Sequence, residues 1–101
     1  MASEIRFEWD PRKAQSNLRK HGIDFETAAR VFDDTHVYEY EEGIVHGEAR
    51  FRSVGEVAGK LVFVSYTSYT KGEEEVVRII SARPASPRES RAYQRHSQND
   101  R

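Results

Sequence analysis

A handful of residues in this chain have the types and spacing needed to grip a phosphodiester and move a proton beside it. Arg78 interrupts the apolar run Val76–Ala82, and Arg83 follows at its end. Arg50 stands in an earlier alternating stretch. A planar guanidinium binds phosphate through parallel hydrogen bonds, so each arginine is a candidate anion ligand. Lys20-His21 precedes Gly22. Imidazole titrates near neutral pH and can serve as general acid or base, while the ammonium beside it can bind phosphate or stabilise a transition state. Tyr93 is a candidate hydrogen-bond donor. Each has a second, purely structural reading. Arg50 and Arg78 can sit in cross-strand ion pairs, His21 can stabilise the carbonyl end of a helix, and Tyr93 can pin a terminal helix. Strict alternation puts Arg78 and Arg83 on opposite faces because their separation is odd, unless a bulge intervenes.

Other apparent motifs fall away. Gly55 to Lys60 is one residue short of a phosphate loop and lacks its Ser/Thr. His46-Gly47-Glu48 offers two metal ligands at best. Ser65 and Ser81 have no context marking them as nucleophiles. With no cysteine, disulfides and Cys-based zinc sites are excluded. No cofactor is called for.

These groups need a scaffold. At 101 residues, a single domain over residues 1–96 is expected, with 97–101 as a disordered tail. No apolar run approaches a membrane span, and the N-terminus has no signal pattern, so a cytoplasmic protein is expected. The net charge of −1 hides segregation: residues 10–22 and 83–95 each carry a local +3, and residues 39–48 a local −4. Basic ends suit a polyanion, and the acidic stretch suits a basic partner.

Asp10-Pro11 reads as an N-cap with proline at the first helical position, and Gly22 as the stop. Asp24 caps a second helix with Phe25, Ala28, Ala29 and Phe32 on one face. Period two then takes over. Strands are expected at Val37–Tyr40, Arg50–Val54, Leu61–Thr67 and Val76–Ala82, with a loop from Glu42 to Gly47 and an edge strand at Arg6–Trp9. Leu61–Val64 is apolar on both faces and should be central. Ser86-Pro87-Arg88-Glu89 is a capping box opening a short, weakly apolar helix that ends near His96. The expected fold is α+β. Two N-terminal helices pack on an antiparallel sheet of three to five strands, the other face stays open, and a short C-terminal helix follows.

Taken in order, Phe7-Glu8-Trp9-Asp10, Asn17, Lys20-His21-Gly22-Ile23, Phe25, Ala28, Val31-Phe32, Glu48 with Arg50, Gly55, Ile79-Ile80-Ser81-Ala82-Arg83, Glu89 and Tyr93 resemble the BrnT toxins of type II toxin–antitoxin systems. One departure is Pro84, where relatives commonly carry lysine. The resemblance implies a RelE-like fold and a ribonuclease that arrests translation. It also implies a ribbon-helix-helix antitoxin, through which alone the complex meets operator DNA and represses its own operon. Lys20, His21, Arg50, Arg78, Arg83 and Tyr93 are carried over as candidate catalytic positions for metal-independent cleavage of RNA. The rival reading is a non-catalytic protein of the same fold that acts on a protein target such as gyrase, or an inactive antitoxin-binding co-repressor.

Overall fold

The computed structural model describes residues 4–99. It is an α+β fold in which a five-stranded sheet carries helices on both faces. In chain order these are β1 (Ile5–Glu8), α1 (Pro11–His21), α2 (Phe25–Ala29) running into a 3-10 turn (Arg30–Asp33), β2 (Tyr38–Val45), β3 (Glu48–Val57), β4 (Lys60–Lys71), β5 (Glu74–Pro84) and α3 (Pro87–Asn99). The strand order is β1-β5-β4-β3-β2.

The expected helix signals operate as physics requires. The Asp10 carboxylate accepts from the Arg12 N–H at 2.8 Å, and Gly22 closes α1 at φ 72° with its N–H on the Leu18 carbonyl. Asp24 accepts from the Thr27 N–H, and hydrogen bonds from the Thr27 side chain and from that N–H lower its pKa. Phe25, Ala28 and Val31 are fully buried against Val62, Val64, Val77 and Ile79. The 3-10 turn comes so close to β3 that a Cβ on Gly55 would lie 2.9 Å from the Val31 carbonyl oxygen. Gly55 therefore serves packing.

Four expectations are corrected. First, the sheet is mixed: β1 pairs in parallel with β5, Phe7 opposite Val77 and Glu8 opposite Arg78. Second, Glu42–Gly47 is no loop. β2 continues through it with a bulge between Glu41 and Gly43, leaving only His46-Gly47 as a two-residue turn with both φ positive. Third, α3 continues to Asn99, so Ser97–Asn99 are helical, while residues 100–101 lie outside the described residues. Fourth, the face opposite α1 and α2 is not wholly open, because α3 docks on one end of it. Tyr93 packs there with Val54 and Phe63.

Where short strands stop, helices complete the ladder. β1 ends opposite Arg78, leaving the outer edge of β5 without a strand from Ile79 onward. Asn17 of α1, only 6% exposed, fills that role at Ala82: its Nδ2 donates to the Ala82 carbonyl at 2.8 Å and its Oδ1 accepts from the Ala82 N–H at 3.0 Å. Its Nδ2 also donates to the Ile23 carbonyl. Asp34 does the same for β3, accepting from the Glu56 N–H at 2.8 Å. Buried backbone groups must be paired, as Asn17 pairs those of Ala82, whereas the Glu56 N–H held by Asp34 is exposed.

Candidate nucleic-acid interface

Four arginines share one surface because of a single extra residue. In β4, Val62, Val64 and Tyr66 point toward α1 and α2. Phe63, Ser65, Thr67 and Tyr69 therefore face the other way. β5 pairs Arg78 with Thr67 and Ile79 with Tyr66, skips Ile80, then pairs Ser81 with Ser65 and Arg83 with Phe63. The bulge at Ile80 reverses the parity, so Arg78 and Arg83, five residues apart, emerge on the same face. β3 sets Arg50 opposite Thr67 and Arg52 opposite Ser65 on that face as well. The arginines flank Ser65 and Thr67, which are 9% and 6% exposed.

The surface has two ends. At the end under α3, Arg83 is clamped by both Glu89 oxygens at 2.8 Å, and its guanidinium lies 4.0 Å from the Phe63 ring centroid. The bond to Glu89 raises the Arg83 pKa. Burial pushes the Glu89 carboxyl upward, but the Arg83 and Ser86 hydrogen bonds outweigh it and leave the pKa lowered. The expected capping box is present: Ser86 N–H donates to Glu89, and Glu89 N–H donates to Ser86 Oγ. Arg52 meets Glu42 at 2.6 Å, which raises the arginine pKa and lowers that of the glutamate.

Among the described residues, the far end carries no helix. A cleft of about 640 Å³ is lined by Glu8, Glu48, Thr67, Tyr69 and Arg78. Arg78 reaches Glu8 only at 3.9 Å. The other Glu8 oxygen accepts from the Tyr69 hydroxyl at 2.6 Å, a bond that raises the tyrosine pKa. Arg50 makes no ion pair among the described residues, and its Nε is buried without a hydrogen-bond partner.

The remaining expected site residues lie elsewhere. Lys20 and His21 are exposed at the end of α1. With Lys13 and Ser16 they border a smaller cleft of about 220 Å³ against Ile80 and Ser81, along the β5 edge that lacks a strand. Ser81 follows the bulge between Arg78 and Arg83, so the cleft adjoins the arginine face there. Tyr93 is set apart. It is 8% exposed, and its hydroxyl donates to Asp34 Oδ2 at 2.7 Å. Burial first, then Asp34, raises its pKa strongly. Burial pushes the Asp34 carboxyl upward, but hydrogen bonds from the Glu56 N–H, the Tyr93 hydroxyl and the His36 N–H more than offset it and leave its pKa lowered. These contacts make Tyr93 the pin of α3.

Sequence reasoning passed over Arg52, whose i, i+2 spacing from Arg50 in a strand was a usable signal. It also missed Asn17 and Asp34 as ladder-completing groups, which no local pattern announces. The assembled surface can hold an extended polyanion across four guanidiniums, with titratable groups at one border.

No curated protein matches the chain. The family described as the ribonuclease toxin, BrnT, of type II toxin–antitoxin systems matches residues 9–89, from Trp9 through the glutamate that clamps Arg83. That span holds the whole of β2 to β5, all four arginines and the lining of both clefts except Glu8. The chain belongs to the BrnT family of type II toxin–antitoxin ribonuclease toxins.

Proposed function

We propose that the chain cuts RNA where the arginine face meets the α1 cleft, over Ser81. The observation that carries this reading is the bulge at Ile80, which turns Arg78 and Arg83 to one side and sets Ser81 between them, against Lys20 and His21. The ribose 2′-hydroxyl attacks the neighbouring phosphorus in line and the 5′-oxygen leaves, giving a 2′,3′-cyclic phosphate. His21 or Lys20 transfers protons at the β5 border. Arg78 and Arg83 balance the charge growing on the phosphoryl oxygens, and Arg50 holds the chain one phosphate away. Such groups contribute ~10²–10⁴-fold for acid–base transfer and about 10²–10³-fold per oriented donor. The scheme routes no step through a metal.

On this reading the fold is RelE-like and RNA loss arrests translation. A ribbon-helix-helix antitoxin covers the basic face and carries the pair to operator DNA. The test is the purified chain on naked RNA in EDTA. Cleavage leaving cyclic phosphate ends is expected. Intact RNA, or cutting that returns only with magnesium, would overturn the proposal.

One observation favours the second reading. Arg52 and Arg83 already hold carboxylates, as expected of a surface built to bind protein. A non-catalytic binder would leave cellular RNA intact when expressed alone. The double variant H21A/R78A separates the two: the nuclease reading requires it to lose cleavage and keep antitoxin binding.

A further inference from the structure

We infer that the aromatic row beside the arginines is a nucleobase-stacking subsite, with the outer face of Tyr40 as its platform for an unpaired base of single-stranded RNA. The inference rests on the nuclease reading, adds a recognition element to it, and is tested separately below.

Three rings from two distant parts of the chain line up on the arginine face. Tyr38 lies 5.1 Å from the His96 ring of α3 and 5.3 Å from Tyr40, tilted by 44° and 33°. Among the described residues, the row runs His96–Tyr38–Tyr40 and ends at Tyr40. Tyr38 is opposite Val54 and Tyr40 opposite Arg52, so both tyrosines project on the same side as the four arginines. All three rings are half-buried, none sealed in the core. A structural role explains Tyr38, which is held between two rings and seats α3. Tyr40 has a single ring neighbour among the described residues, Tyr38, and its phenol interacts with Arg52. Beyond Tyr40 along β2 come the bulge at Glu42, whose carboxylate holds Arg52, and then Gly43.

The surroundings of Tyr40 match what a nucleotide presents. The phenol lies within electrostatic reach of both Arg52 and Arg83. Arg50 is two register pairs further along β3, opposite Gly43, past the bulged Glu42 that holds Arg52. A flat base can add a fourth layer to the row while its phosphate meets these cations. Unpaired bases stack on aromatic rings beside guanidinium groups in sequence-tolerant single-strand recognition, whereas a duplex keeps its bases stacked inside. The chemistry therefore points to single-stranded RNA, and to an approach in which the base is fixed before the backbone crosses to Ser81. Tyr40 touches the ligand here as a binding residue, away from the bond that breaks.

The test uses the full chain and single-stranded 2′-O-methyl oligoribonucleotides that carry 2-aminopurine and cannot be cut through the 2′-position. Wild type should quench the 2-aminopurine fluorescence. Y40L should lose the quench and Y40F should keep it, since the ring and not the hydroxyl is the platform. On cleavable RNA, Y40L should raise KM roughly tenfold with kcat held. Photocrosslinking of 4-thiouridine RNA to the wild type guards against a folding defect in Y40L, and the adduct should map to Tyr40. An undiminished quench in Y40L, or an adduct confined to α1, overturns the inference. So does absence of quench in wild type, which would leave the row as a protein-binding strip for the antitoxin. RNA left uncut by a wild type that still quenches would sink the nuclease reading and leave the subsite standing.

Discussion

The two ends of the arginine face are made of the same side chain on the same sheet, yet they differ in what already holds it. Under α3, Arg83 is fixed by a two-point carboxylate clamp and an aromatic ring. At the uncovered end, Arg78 has one ion pair among the described residues, at 3.9 Å, and the other oxygen of that carboxylate is engaged by Tyr69. An arriving phosphate must displace a two-point Glu89 clamp at the first place and only the looser Glu8 contact at the second. The contrast separates a cation used to build the protein from one available to a ligand, which residue type alone cannot do.

The largest effect that can break this contrast is on cleavage. R78A should lower kcat/KM by roughly 100-fold, and R83A by clearly less, about tenfold. Initial rates on one RNA substrate decide it, and the reverse order would mean that the clamp opens freely. Stability should run the other way. R83A leaves Glu89 partly buried without its cation and should cost about 2 kcal/mol, while R78A should stay within about 0.5 kcal/mol, both read from urea denaturation.

Acid should loosen the covered end first. The folded-state pKa values of Glu89 and Asp34 are lowered. Their contribution is therefore present above the unfolded carboxylate range and is lost as pH falls through the lower, folded values. The expected outcome is a fall in stability below about pH 4 that is smaller in E89Q, followed by thermal melts across pH. The smallest effect belongs to Y93F. Losing the hydroxyl bond to Asp34 should cost about 1 kcal/mol and increase hydrogen exchange in α3, with the sheet amides unchanged.

Much of the frame was readable in advance because local chemistry dictates it. Asp10-Pro11, Gly22, Asp24 and the Ser86–Glu89 box each act through neighbours in sequence, and Leu61–Val64 is central as its two-sided apolar character requires. What escaped was non-local or broke the period. No feature of Arg6–Trp9 tells that its partner is β5 in parallel. The residues Glu42–Gly47 look like a loop because a bulge shifts the register between Glu41 and Gly43. The shared side of Arg78 and Arg83 depends on Ile80 dropping out of the pairing, and alternation alone gives the opposite answer. α3 looks poorly anchored because its attachment rests on Glu89 and Tyr93 meeting distant polar partners, with only a small apolar contact beneath. The site was legible as a set of cations and illegible as a geometry.

The Asn17 amide on Ala82 has a consequence for colonies of this molecule. A sheet border with bare N–H and C=O groups invites another copy to add a strand and start a fibre. Where β5 runs past the edge strand β1, Asn17 of α1 occupies the groups of Ala82, and β2, at the opposite border, carries Glu39, Glu41 and Glu42, which would confront their own likenesses in any pairing of two copies. The one guard works by occupying backbone groups and the other by repulsion between carboxylates, so only the second can be switched off by acid.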